Sequence, residues 1–186
     1  MAEEFERQLA QHCAPTLLGE KCASLVSLSR EEFPQLEELL GQYNRRWAGC
    51  GLRMQILCHC RCRSLVYLYH PGKLAQHLAR PQVQVLLRKY GYEPGQPLEG
   101  MLLRLRRRLR EEGDFPHEIG LFLGYPPEDV AAFIRTKGAG YKRGGYWKVY
   151  FHEEEARATF ARYDACRARL CRRLAAGGTL SQLLAA

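Results

Sequence analysis

Two alternating runs joined by a short polar break constrain this chain more than any other stretch. Leu52, Met54, Ile56 and Cys58 alternate with Arg53, Gln55 and Leu57, and Leu65, Tyr67 and Tyr69 alternate with Val66 and Leu68. Successive side chains of a strand point to opposite faces, so a period of two marks each run as a strand. The pair predicts an antiparallel hairpin turning near Cys60 to Arg63. Such a sheet must be covered, and the flanking sequence supplies helices. Phe33, Leu36, Leu39, Leu40, Tyr43 and Trp47 recur at helical spacing, and Gly49 and Gly51 close the segment.

The remaining elements follow from the same reasoning. Residues 3 to 11 fit a short helix with Phe5 and Leu9 one turn apart; Pro15 disfavours helical geometry at Ala14, which predicts a break there. Ala23 to Leu28 reads as a strand. Past Pro71 the chain is helical, with Pro81 starting one helix and Gly91 stopping it. From Pro97 to Glu112, Leu98, Met101, Leu102, Leu105 and Leu109 form one stripe, which should pack while the intervening arginines face out. Tyr146 to Phe151 is aromatic and β-branched and reads as a further strand. A long helix then runs from about Glu153 to Leu174, ended by Gly177 and Gly178, and Thr179 can cap a last short one. No internal repeat or linker composition intervenes. The expectation is an α+β fold in one domain over residues 1–186, with a small, mostly antiparallel sheet of about four strands packed against several helices.

Composition excludes several classes. No apolar run approaches the ~20 residues of a membrane span, so no membrane partner is expected. The amino-terminal MAEEFERQLAQHC is acidic and amphipathic where an export signal would be basic and then apolar, which predicts a cytoplasmic protein. In that compartment the eight cysteines read as thiols or ligands rather than structural bridges. A formal charge of +8 permits an acidic protein partner or nucleic acid without locating a site.

The stretch from Phe115 to Phe151 holds the densest turn chemistry and admits two readings. In one, Asp114 caps a helix with Pro116 in its first turn that stops at Gly124, and Pro127, Glu128 and Asp129 start a second helix. The result is a helical hairpin whose second helix opens with carboxylates that phosphate would repel. In the other, Glu118 to Tyr125 is a buried strand with His117 at its entrance. The pattern His117-x-x-x-Leu121-x-Leu123-Gly124-Tyr125, downstream of His12-Cys13-Ala14-Pro15-Thr16, then resembles papain-like and bacteriocin-processing cysteine peptidases. That resemblance implies Cys13 as nucleophile and His117 as general base.

Four blocks, HCAPTLLGEKCASLVSL, FPHEIGLFLGYPPEDVAAFI, GYWKVY and CRARLCRRLAAGGTL, together resemble the bacterial domain-of-unknown-function family 3793 over nearly the whole chain. The resemblance implies a small cytosolic protein and carries no activity. Its motif residues correspond here to Cys13, His117, Glu118, Asp129, Trp147, Cys166 and Cys171. Where such proteins often carry a cysteine before Trp147, this chain has Arg143-Gly144-Gly145.

Three functional expectations follow. The first is a cysteine-centred site joining Cys13, His117, Cys166 and Cys171, binding iron, zinc or an iron–sulfur cluster or undergoing thiol redox chemistry, since thiolates and imidazole suit those metals. The second is the hydrolase using Cys13 and His117. The third is a non-enzymatic module that binds protein or nucleic acid through the helical hairpin or through a basic helix face carrying Arg104, Arg107 and Arg108. Cys58, Cys60 and Cys62 form a separate thiol-rich group at the hairpin turn, beside Arg61 and Arg63.

Overall fold

The sheet is built around the hairpin the alternation predicts. In the computed structural model, which describes residues 2–111 and 115–184, β2 (Arg53–His59) and β3 (Arg63–Tyr69) pair antiparallel, and β1 (Ala23–Ser29) pairs antiparallel with the other edge of β3. The order is β1-β3-β2. A bulge between Ile56 and Cys58 shifts the β2 register, so Leu57 and Cys58, adjacent in sequence, are both buried.

The chain forms two compact units, one of residues 1–72 with 163–186 and one of residues 73–162. The first holds the sheet, with α1 (Ala2–Leu17) packed along β1 and α2 (Leu36–Arg46) along β2. Its core joins Val26, Leu28, Met54, Val66 and Leu68 of the sheet to Phe5, Leu9, Leu40, Tyr43 and Trp47. Helix α1 does not break at Ala14 but runs through Pro15. Phe5, Leu9, Cys13 and Leu17 recur every fourth residue and are all buried. Burying one such side chain is worth about 1.5–3 kcal/mol, so continuing the stripe past the proline offsets the ~3 kcal/mol that an interior proline costs. The chain leaves the helix only afterwards, where Glu20 N and Lys21 N both donate to Pro15 O at 2.8 and 3.1 Å. Glu6 is buried inside this unit; its carboxylate accepts from Tyr43 Oη at 2.9 Å and from Leu180 N at 2.7 Å.

The second unit begins within α3 (Pro71–Leu78) and continues through α4 (Pro81–Arg88), α5 (Leu98–Arg108), α6 (Ile119–Phe122) and α7 (Pro127–Thr136) into the start of α8 (Glu153–Ala175). The end of α8 returns to the first unit, followed by α9 (Leu180–Leu184), where Thr179 and Gln182 exchange side-chain and backbone bonds as a capping box. Three sequence expectations are corrected here. Among the described residues the sheet has three strands, not about four, because Tyr146 to Phe151 is irregular apart from one bridge, Arg143 to Val149. Residues 119–122 are helical, which removes the strand reading of Glu118 to Tyr125. The stripe of α5 does pack, but its arginines do not all face out: Arg104 donates to Tyr90 O from Nε at 3.0 Å and Nη2 at 2.7 Å, and Arg108 pairs with buried Glu118. Asp114, the expected cap, lies outside the described residues.

Candidate functional site

The α6–α7 hairpin forms because its turn residues leave little choice. Gly124, at φ 74°, adopts the left-handed conformation that stops α6, and Tyr125 N closes back on Gly120 O at 3.0 Å. Pro127 then occupies the first turn of α7, where a missing N–H costs nothing. The two helices approach so closely at Gly120 that a Cβ there would lie 2.9 Å from Val130 Cγ2.

Asp129, in the first turn of α7, organises the segment that runs from Trp147 to Phe151. Its side chain is buried, with Oδ2 accepting from Trp147 Nε1 at 2.8 Å and Oδ1 accepting from Tyr150 N at 2.8 Å and Phe151 N at 3.0 Å. With those two amides bonded to a carboxylate instead of a neighbouring strand, Tyr146 to Phe151 forms, among the described residues, no ladder beyond the one bridge at Val149. Trp147 is thereby fixed, its ring edge-on to Phe160 at 4.6 Å and tilted against Tyr125 at 5.4 Å. Gly145 lets this segment lie on Phe160; a Cβ there would come 2.2 Å from Phe160 Cε2.

Between the hairpin and residues 145–148 lies a pocket of about 270 Å³. Ile119, Leu123, Val130 and Phe133 are its apolar lining, and His117, Tyr125, Asp129, Trp147 and Lys148 are the lining residues that carry polar groups. His117 is exposed and its ring stands edge-on to Phe133, centroids 5.0 Å apart. Lys148 Nζ donates to Gly138 O at 2.8 Å and sits 4.7 Å from the Tyr141 ring centre and 5.5 Å from that of Phe133. A second cavity of about 370 Å³ shares His117 and Phe133 and is also lined by Glu118, Arg108, Tyr90 and Lys137.

The structure thus gathers His117, Asp129 and Trp147 around one pocket and places Glu118 beside it. No cysteine is among the described residues that line it. Cys13 and Cys166 belong to the apolar core of the first unit, with Cys171 packed at its edge and its thiol 3.6 Å from Gln11 Oε1, whereas His117 belongs to the second unit. Burial pushes the Cys13 thiol up to about 12, against a smaller opposing pull from Lys21. A protonated thiol is neither nucleophile nor metal ligand. Cys13 also lies near the carboxyl end of α1, where the helix dipole disfavours an anion. His117 precedes α6 rather than entering a strand. Among the described residues, no three His, Cys, Asp or Glu side chains come together in a group able to hold a metal ion.

At the β2–β3 turn Cys58 is buried while Cys60 and Cys62 are exposed. On α5, Arg107 is exposed, but Arg104 is engaged with Tyr90 O and Arg108 with Glu118, which thins the basic face. The sequence reading missed Tyr125, Phe133, Gly145 and Lys148 as lining residues. The crowding of aromatics in GYWKVYF and its place among the family blocks signal that segment, but by composition it reads as strand.

A family whose description is protein of unknown function (DUF3793) matches residues 9–184. No match was found among the curated proteins or among the solved structures. No described helix is long and apolar enough to cross a membrane.

Proposed function

The chain belongs to the DUF3793 family of proteins of unknown function, so no activity is inherited with that membership, and we propose from its own residues that it is a binding module whose α6–α7 pocket takes an apolar group of a ligand. The observation that carries this reading is the state of Asp129. Its carboxylate is buried and meets three donors, so the acid in the pocket wall braces Trp147 and residues 150–151 instead of serving as a base. An apolar recess with rigid aromatic walls and few polar groups is the usual form of a small-ligand site. The chain has two tryptophans, Trp47 in the first unit and Trp147 in the pocket, so their indole N–H resonances separate the site from the rest. Titration with a small aromatic such as indole should shift the Trp147 resonance saturably and leave that of Trp47 in place. No shift, or equal drift of both, would dismiss the reading.

A second reading, thiol chemistry, draws on the exposure of Cys60 and Cys62 at the β2–β3 turn beside Arg61 and Arg63. A thiolate there would attack a low-molecular-weight disulfide, form a mixed disulfide and release one thiol; the second cysteine would then displace the other. Exchange with an aromatic disulfide on the folded protein should proceed fast at these two positions, and slow reaction at both would remove it.

A further inference from the structure

We infer that the ligand of the α6–α7 pocket is a small carboxylic acid with an aromatic or aliphatic body, its carboxylate held by Lys148 and His117 at the mouth of the apolar recess. The inference rests on the binding reading above and adds the charge of the ligand. Across the two cavities that meet at His117 and Phe133, the full-time charges are Lys148, Arg108 and Lys137 against Asp129 and Glu118, three cations to two anions. Both carboxylates are already committed. Asp129 accepts from an indole and two amides, and Glu118 pairs with Arg108. The excess positive charge therefore belongs to the lysines.

Lys148 is placed to use that charge. Its bond to Gly138 O at 2.8 Å takes one of the three N–H donors of an ammonium, and the Phe133 and Tyr141 rings pin its position without consuming the others. Because Phe133 also forms a pocket wall, a ligand body packed on that wall brings its head group toward the same ammonium. His117, exposed and edge-on to the same Phe133 ring at 5.0 Å, lines the same pocket and offers a second N–H donor. One ammonium and one imidazole suit a singly charged group. A doubly charged phosphate would be less well matched, because the charge of the arginine lining the second cavity is already met by buried Glu118. An amine ligand would face like charge with no open carboxylate to receive it.

The test compares three probes of one shape, 3-phenylpropanoate, 3-phenylpropanol and 3-phenylpropylammonium, by calorimetry and the Trp147 indole shift at fixed ionic strength. The carboxylate should bind at least about tenfold more tightly than the alcohol, and the ammonium more weakly than either. Lys148→Met should collapse the carboxylate-to-alcohol ratio toward one, and Lys148→Arg should retain most of it. Equal affinity for carboxylate and alcohol, or a preference for the ammonium, overturns the inference while leaving an apolar binding site standing. Binding of none of the three overturns the binding reading itself. If Lys148→Met fails to fold, the probe series on the natural chain still decides the matter.

Discussion

Replacing Asp129 tests the brace on which the pocket depends. Its carboxylate meets Trp147 Nε1 and the amides of Tyr150 and Phe151 at 2.8, 2.8 and 3.0 Å. A hydrogen bond to a charged group contributes about 1.5–3 kcal/mol, and a buried donor left unpaired costs about 1–3 kcal/mol. The three bonds share one acceptor, and the Phe151 amide belongs to an exposed residue that water can reach, so their losses do not sum. Asp129→Ala should therefore destabilise the second unit by about 3–5 kcal/mol, within the usual total for a domain of about 5–15 kcal/mol. Asp129→Asn keeps an oxygen for the two amides but turns an N–H₂ toward the Trp147 N–H, and should cost about 1.5–3 kcal/mol. The assay is amide hydrogen exchange at Tyr150 and Phe151, with urea unfolding followed by Trp147 fluorescence in a Trp47→Phe background. At tenfold per 1.4 kcal/mol, exchange in the alanine variant should accelerate by about two to three and a half orders of magnitude. If both variants stay within about 0.5 kcal/mol of the parent, a range typical of surface changes, the carboxylate is not what holds this segment.

Further perturbations probe the packing, the charges and the thiols. Gly145→Ala should cost about 1–3 kcal/mol by driving a methyl group into Phe160, whose Cε2 would lie 2.2 Å away, and should broaden the Trp147 indole resonance. Arg108→Gln leaves Glu118 buried without its cation and should lower thermal stability by about 3–5 kcal/mol, with Arg108→Lys recovering part of it. Burial holds Cys13 at about 12 against an ordinary 9.0, so the unfolded thiol ionises first and stability should fall as pH rises from about 9 toward 12; in Cys13→Ala that loss should be absent. Burial lowers Lys21 to about 8 from 10.5, so the unfolded chain binds more protons in that window and Lys21 makes stability rise with pH there. The two effects oppose each other between 9 and 10.5, and denaturation curves of Lys21→Met should show a steeper alkaline decline than the parent. Native-state alkylation should modify Cys60 and Cys62 well before Cys13 and Cys166, and a rapid reaction at Cys13 would contradict its burial.

Elements whose signal is local were legible from the sequence. Alternation marked β2 and β3, the spacing of Leu36, Leu39, Leu40 and Tyr43 marked α2, and Gly124 with Pro127 marked the α6–α7 turn, because each depends on residues within one or two turns of one another. Three of the pocket's residues, His117, Asp129 and Trp147, also stand out in the sequence, His117 as part of a cysteine-centred site and the other two as family motif residues. Tertiary structure decided the rest. Helix α1 outlasts Pro15 because Cys13 and Leu17 are buried, and burial is a property of the whole unit. Tyr146 to Phe151 has the composition of a strand, yet a carboxylate about twenty residues upstream claims its amides, a pairing no local pattern encodes. The thiols and the imidazole were matched by residue type alone, and the chain sends Cys13 and Cys166 into one core and His117 to the edge of a pocket in the other unit. Chemistry-bearing residue types can be read from a sequence; which of them meet is set by long-range packing.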